Sequence, residues 1–428
     1  MRLGTTAMAA LALAAVAPVA AASPADLFGF GPESQSMGGT GAAVGRGFGA
    51  AYGNPALLSR SRSRELSLGY QLARFSLRAD GPRAPGPLGV EGLSGTYIGA
   101  VLPIPFGGVL EHRLVAGLGA FTPRSLIARA RLLYPERPQF PVLADRAQTL
   151  EFTMGLGADL GHGVRVGAGA RALAELVGTV VVRTDTSGRV GTVVDDQLVA
   201  TYAPVVGVAA ELGRGWEAGL TWRGALSAEF QVLVEVHDLG QLVIPDLHID
   251  GVAQYDPSEL QAEVGKRLGP VLLAAGATYK RWSSFPGWTR PTVECPPSRP
   301  DCLALRTAPV GFHDTVVPRL GAELTLPLAR SSEAHLRGGW FFEPSPVPEQ
   351  TGASNYFDDA RHAFTIGYGV TLVEPLPPVS VDAFFQEHLL VSRTHQKGAG
   401  VDPANPGAPA VKSSGSVQNF GVVLGVRF

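Results

Sequence analysis

Phe420-Gly-Val-Val-Leu-Gly-Val-Arg-Phe428 is the stretch whose reading decides the fold. Phe420, Val422, Leu424, Val426 and Phe428 fall on one face of a period-2 strand. Asn419, Gly421, Gly425 and Arg427 fall on the other, and only Val423 breaks the alternation. One face suits lipid and the other water, and the chain stops on an aromatic. A strand of this kind belongs in the wall of a closed membrane barrel.

That ending is similar to the C-terminal signal by which outer-membrane barrels are recognised and inserted, so the expected partners include the barrel-assembly machinery and outer-membrane lipid. The front of the chain fits the same destination. Residues 1–22 combine Met1-Arg2, an Ala/Leu-rich core from Ala7 to Val19 and small residues Ala20-Ala21-Ala22, the pattern of a secretory signal peptide. The apolar core is short for a spanning helix, and no later run of 18 uncharged apolar residues occurs, so any membrane span is made of strands. Gly 54 in 428 residues and 17% charged residues suit a wall that meets lipid better than a fully hydrated surface. A net charge of -2 gives no basic patch for nucleic acid.

Cys295 and Cys302 lie in the Pro-rich Glu294–Cys302 segment, and in an exported chain such a pair reads as a disulfide. Only His313 stands near them, too few ligands for a metal site, and no motif asks for a cofactor.

Two-faced alternation recurs along the chain. Leu150, Phe152, Met154, Leu156, Ala158 and Leu160 alternate with small or polar residues, as do Phe364, Ile366, Tyr368, Val370 and Leu372. The pattern predicts an antiparallel β-barrel of fourteen strands, at 64–78, 92–104, 112–122, 147–160, 163–181, 197–212, 215–236, 258–268, 270–284, 316–328, 333–343, 361–374, 378–393 and 416–428. Tight turns at Gly161-His162, Gly213-Arg214, Leu268-Gly269 and Arg330-Ser331 alternate with long loops at 123–146, 237–257, 285–315, 344–360 and 394–415. Short turns mark the periplasmic rim and long loops the external one, and an even strand number puts both termini in the periplasm. A soluble sandwich would also alternate. It would not need Trp216, Trp340, Tyr368 and Phe428 at the ends of apolar faces, where an aromatic girdle belongs.

The domains expected are a signal peptide at 1–22, a plug at 23–60 and the barrel at 61–428. The 23–60 stretch is Gly/Ala-rich and reads as a compact plug in the lumen or as a flexible tail. Its glycines do not make a phosphate-cradling G-x-G-x-x-G loop.

The stretch ends in Asn54-Pro55-Ala56, followed by Leu57-Leu58. Late in the chain comes Leu336-Arg-Gly-Gly-Trp-Phe-Phe-Glu-Pro-Ser-Pro-Val-Pro348, then Asp358-Asp-Ala-Arg-His362, and in between lies Tyr279-Lys-Arg-Trp-Ser-Ser-Phe285. On these segments the sequence resembles the FadL (OMPP1/FadL/TodX) family of outer-membrane transporters of long-chain fatty acids and other hydrophobic compounds. One departure stands out: family hatches often carry acidic residues shortly before Asn-Pro-Ala, whereas this chain has Gly45-Arg-Gly-Phe-Gly-Ala-Ala51.

The resemblance implies a hatch-plugged, monomeric barrel in the bacterial outer membrane, with a hydrophobic ligand, foremost a long-chain fatty acid, and a side opening at a kinked strand. In the 123–146 loop, Leu126, Leu132, Leu133, Tyr134 and Phe140 beside Arg129 and Arg131 suit an acyl chain and its carboxylate; they equally suit a loop with its own small core. Phe48, Tyr52 and Leu57 read as ligand contacts or as plug core. Pro123, with Gly117 and Gly119 before it, is the expected ladder interruption for a side exit. Against transport stand two other readings, a partner platform in secretion and an outer-membrane hydrolase. For the latter, His162 falls in a turn and Asp195-Asp196 in a loop, with no spacing that compels a catalytic pair.

Overall fold

The computed structural model describes residues 24–108, 113–124, 133–144, 150–184, 189–234, 246–294, 310–329, 331–372 and 377–428. The signal-peptide segment 1–22, Cys295, Cys302, Leu126, Leu132, Arg129 and Arg131 lie outside these residues.

Fourteen long strands form the wall: β1 (Glu65–Asp80), β2 (Leu93–Pro103), β3 (Leu114–Pro123), β4 (Glu151–Gly161), β5 (Val164–Thr184), β6 (Val190–Gly213), β7 (Trp216–Arg223), β8 (Glu259–Leu268), β9 (Val271–Lys280), β10 (Thr315–Ala329), β11 (Ser332–Glu343), β12 (Arg361–Leu372), β13 (Val379–Leu390) and β14 (Ala410–Arg427). Each pairs antiparallel with its sequence neighbours, and β14 closes on β1 from Glu65↔Arg427 to Asp80↔Lys412. Closure leaves the ring no edge strand, so each wall strand has a hydrogen-bonded neighbour on both sides, as lipid requires. Two short strands, Gly86–Pro87 and Arg393–Gln396, extend the external ends of β1 and β14.

The alternation seen in the sequence maps onto the two sides of the wall. Leu66, Leu68, Tyr70, Ile366, Tyr368, Phe420, Val422 and Leu424 are exposed on the outside. Gln71, Thr153, Glu263, Thr365, Gln386 and Asn419 are buried on the inside. The irregular Val423 points inward and joins the lumenal apolar core. Turns at Gly161–Gly163 and Gly213–Gly215 hold His162 and Arg214 at positive φ, flanked by glycines that take it without strain.

Three expectations are corrected. The seventh strand does not run to 236: the wall strand stops at Arg223, and the chain re-forms as Leu226–Val234, which leaves the wall to make a three-stranded external sheet with Asp246–Asp256 and Thr289–Glu294. The cause is Pro204 on β6, whose ring nitrogen has no hydrogen to continue the ladder past Val205↔Arg223. The β5–β6 hairpin is longer than expected, pairing through Thr184↔Val190, so Asp195 and Asp196 lie in a strand and not a loop. Finally, β3 is not interrupted. It pairs with β2 from Gly95↔Pro123 to Pro103↔Val115 and with β4 from Phe121↔Glu151 to Leu114↔Ala158 without a break at Gly117 or Gly119, while Pro123 pairs with β2 alone, two residues beyond the end of the β4 ladder.

Candidate functional site

Residues 24–60 fold as three short helices, Pro24–Phe28, Pro32–Ser36 and Ala50–Gly53, and a 3-10 turn, Pro55–Arg60. They bond to wall strands on all sides, which places them inside the ring. Asn54 anchors the Asn-Pro-Ala segment: its amide donates to Ala42 O at 2.6 Å and to Val208 O of β6 at 3.0 Å. Its side-chain oxygen accepts from Ala56 N at 3.0 Å, capping the 3-10 turn that Pro55 opens. The wall meets this segment with glycines because nothing larger fits. A Cβ on Gly207 would stand 2.0 Å from Asn54 Oδ1, and one on Gly167 2.2 Å from Ala56 N. Gly117 and Gly119 do the same for Leu58 and Phe30, where a Cβ would come within 2.4 Å of each side chain. These two glycines therefore seat the hatch.

Carboxylates from the wall hold the rest of the segment. Glu263 of β8 accepts four consecutive backbone N–H groups, those of Gly41, Ala42, Ala43 and Val44, at 2.8, 3.1, 3.0 and 3.3 Å. Arg46, the residue that departs from the family's acidic habit, finds its acid in the wall as Glu323 at 2.6 Å. Arg60 pairs with Glu217 at 2.6 Å.

Toward the external end lies a buried ionic layer. The Lys280 ammonium contacts Asp26 of the hatch and Glu343 at 2.7 Å each and Glu259 at 3.4 Å. Arg361 pairs with Glu343, Arg171 with Asp256 and Glu151, and Arg223 with Glu259 at 2.8 Å. Tyr52 is clamped between Arg171 and Arg223, whose guanidinium carbons stand 5.0 and 4.8 Å from its ring centre. Ala25 N–H donates to Glu151 at 3.0 Å, so the Pro24–Phe28 turn of the hatch is tied into the same layer. Leu57 is fully buried in the hatch–wall core. Phe48 lines a small hollow on the periplasmic side of about 60 Å³, together with Phe30, Met37, Val44, Val423 and the charged Glu33, Arg46 and Asp382.

Directly outside the ionic layer is an aromatic cleft of about 1850 Å³, measured out to its open mouth. Phe285 and Phe312 stack at 4.8 Å with an 18° interplanar angle. Trp288 crosses Phe285 at 4.7 Å and Tyr356 at 6.0 Å, and Tyr255 and Trp282 extend the apolar cluster behind them. Pro135, Pro286 and Pro348 stiffen the rim. Cleft and ionic layer are coupled through the chain, since Trp282 follows Lys280 by two residues and Tyr255 precedes Asp256. Burial pushes the Tyr356 phenol up to about 12, so it stays neutral.

Among the described residues of the 123–146 loop, the expected ligand contacts separate. Leu133 joins the cluster behind the cleft, and its carbonyl accepts from Tyr356 at 3.3 Å. Phe140 packs instead on Phe357 at 5.9 Å, and Tyr134 is exposed with Arg137 over its ring at 5.0 Å. Sequence reasoning missed Tyr255, Phe285, Trp288, Phe312 and Tyr356. Their signal was available as aromatics scattered through Pro- and Gly-rich loops, where a loop with no ligand or core to serve would be polar.

A closed fourteen-stranded ring with an apolar outside, a lumen filled by its own N-terminal segment and an aromatic cleft above is a plugged outer-membrane barrel. Its fold is that of the FadL-type barrels. A Pseudomonas aeruginosa FadL homologue superposes with a TM-score of 0.60 at 14% identity, over 93% of this chain and 97% of that one. The Pseudomonas putida toluene transporter TodX superposes with a TM-score of 0.55 at 14% identity, over 94% and 99%. By sequence the chain is 22% identical over 375 residues to alkane uptake protein A of Marinobacter nauticus, covering 80% of this chain and 78% of the relative. No protein-family model matches the chain.

Proposed function

We propose that the protein takes uncharged hydrophobic compounds across the outer membrane, capturing them in the external aromatic cleft and passing them inward through the hatch-filled lumen. The observation that carries this reading is the lining of the cleft: four aromatic rings, three prolines and Val310 beside the uncharged Ser283, Gln350, Thr351 and Ser354, with Glu349 the one charged group among its described residues. Among the described lining residues a fatty carboxylate would meet Glu349 and no cation, and the Lys397 ammonium beside them is turned onto Gln350 O and Ser354 O at 2.7 and 2.8 Å. Deeper in, Lys280, Arg171, Arg223 and Arg361 already face protein carboxylates. A neutral chain asks for none of them and lowers its free energy by about 0.8 kcal/mol per methylene placed against the rings. The structurally similar toluene transporter and the alkane uptake relative are consistent with this substrate class. The role is transport and not catalysis: partition onto apolar surface does the work, and no bond is made or broken.

Passage requires the hatch to give way. The Pro24–Phe28 turn is held to the wall by Asp26–Lys280 and by Ala25–Glu151, and it lies between the ionic layer and the periplasmic hollow. In this reading, movement of this turn opens a route from the cleft toward the hollow.

The test is saturable binding of a labelled long-chain alkane to the detergent-purified protein, with a fatty acid of equal length as competitor. Binding displaced weakly by the fatty acid supports the reading. Stronger binding of the fatty acid restores the fatty-acid transporter, and no binding of either favours a secretion platform.

A further inference from the structure

The outer wall carries a second cleft that the transport route does not use. It crosses β7, β8, β9, β10 and β11 obliquely, from Trp216 and Lys266 at the periplasmic rim to Trp340, and holds about 1120 Å³ out to its mouth. Val264, Leu273, Leu320 and Trp216 are exposed on the lipid side of the wall, which fixes the cleft as membrane-facing. Its floor is lowered by Ala275, Ala322 and Gly338, where the neighbouring outward rows carry leucine and valine. Gly338 is not a hatch seat. A Cβ there would meet only Thr365 O at 3.8 Å, whereas one on the adjacent Gly339 would collide with Gly38 N at 2.2 Å.

The rim end is cationic. Lys266 sits in the outward apolar row between Val264 and Leu268. Its ammonium lies 4.7 Å from the Trp216 ring centre and donates to Arg214 O at 2.6 Å, which uses one of its three hydrogens. Arg214 and Arg267 stand at the same rim. A lysine on the lipid side of a barrel is a cost that shrinks toward the interface and that an anionic head group offsets. Four strand spacings carry the cleft roughly 19 Å across the wall, enough for a chain to traverse one leaflet of about 15 Å at a slant.

We propose that this cleft binds an anionic phospholipid of the surrounding membrane, its phosphate on Lys266 and one acyl chain lying over Ala275, Ala322 and Gly338 toward Trp340. Charge complementarity at the rim and the lowered floor select this occupant over bulk lipid. The site is independent of the transport reading.

The experiment uses the full mature protein in phosphatidylcholine vesicles, with Trp222, Trp282 and Trp288 replaced by Phe so that Trp216 and Trp340 report. A minor fraction of phosphatidylglycerol or phosphatidylcholine with brominated chains is added, and fluorescence quenching gives the relative occupancy. The expected preference for brominated phosphatidylglycerol is about fivefold, equivalent to about 1 kcal/mol. It disappears in Lys266→Gln, persists in Lys266→Arg, and Gly338→Leu weakens quenching by both lipids. Substitutions on the lipid face leave the ladder and hatch contacts intact, and the folded state is checked by heat-modifiable gel migration. Equal quenching by the two lipids, or an unchanged preference in Lys266→Gln, overturns the proposal. Displacement of the brominated lipid by a long-chain alkane also overturns it, because the cleft would then belong to the transported compound.

Discussion

Replacing Glu263 with Gln tests whether wall carboxylates hold the hatch. In the native arrangement two carboxylate oxygens serve four N–H donors, Oε2 those of Gly41 and Ala42 and Oε1 those of Ala43 and Val44. Glutamine keeps one oxygen and turns an amide –NH2 toward the other pair, so two buried donors lose their acceptor and the remaining two lose a charged one. At about 1–3 kcal/mol for each unmet donor, local opening of the hatch becomes about 2–6 kcal/mol easier. By the same conversion, hydrogen exchange at Gly41–Val44 accelerates at least roughly thirtyfold. The wall is held by its own ladder, so strand amides should exchange at the wild-type rate. Hydrogen-exchange mass spectrometry on peptides covering 37–48 and the strands reads both. Unchanged protection at Gly41–Val44 would refute the assignment of Glu263 as a hatch anchor, and equal acceleration in the wall would show that hatch and barrel open as one unit.

In the cleft, Trp288→Ala removes on the order of 100 Å² of ligand contact and should weaken alkane binding about tenfold to a hundredfold, as titration of purified protein would show; wild-type affinity would take the ligand out of the cleft. Gly207→Val would drive a side chain into Asn54 Oδ1, already 2.0 Å from a bare Cβ, and should raise leakage of small hydrophilic solutes in liposome swelling while the barrel still inserts. Two external-loop groups give opposed pH slopes: Asp359 has its carboxyl pushed up to about 7, by burial first and then by Asp358, so its contribution to stability falls as pH rises from about 4 to 7. His395, pushed down to about 4 by burial first and then by Arg393 and Lys397, loses stability as pH falls from about 6.5 to 4; thus Asp359→Asn should make loop protection rise with pH across that window and His395→Gln should make it fall, by hydrogen exchange of 345–360.

The wall was legible because lipid outside and a filled lumen inside impose a period of two on every strand. Strand β14 reads from Phe420 to Phe428 without help from any other part of the chain. Where a strand leaves the wall, the pattern gave no warning: Leu226–Val234 continues the alternation of β7, and the break depends on Pro204, a residue on a neighbouring strand. The inner surface was misread in kind. Gly117 and Gly119 look like weak points in a strand, yet the pressure that keeps them glycine comes from Leu58 and Phe30, about sixty to ninety residues away in sequence. The cleft was the least legible part, because Tyr255, Phe285, Phe312 and Tyr356 come from three different external connections, and such connections carry no wall periodicity to report what they face.

Val423 and Glu263 together show what the inner face is for. In an aqueous pore the inward positions would be hydrated polar residues, and neither a valine nor a single carboxylate that serves four backbone donors would have a reason to be there. Here the inward face is one side of a protein–protein contact within a single chain. It is glycine where backbone comes close, valine where Met37 and Phe48 line the hollow, and acidic where the hatch shows N–H groups or Arg46. The low charge content of the chain conceals this, since much of the charge is spent inside as neutral pairs. The turn at Asp26 is held both ways, by the ion pair to Lys280 and by Leu27 and Phe28 in the hatch–wall core, so its release breaks a short ionic tie and frees a small apolar patch at the point where a hydrophobic compound would arrive to cover it.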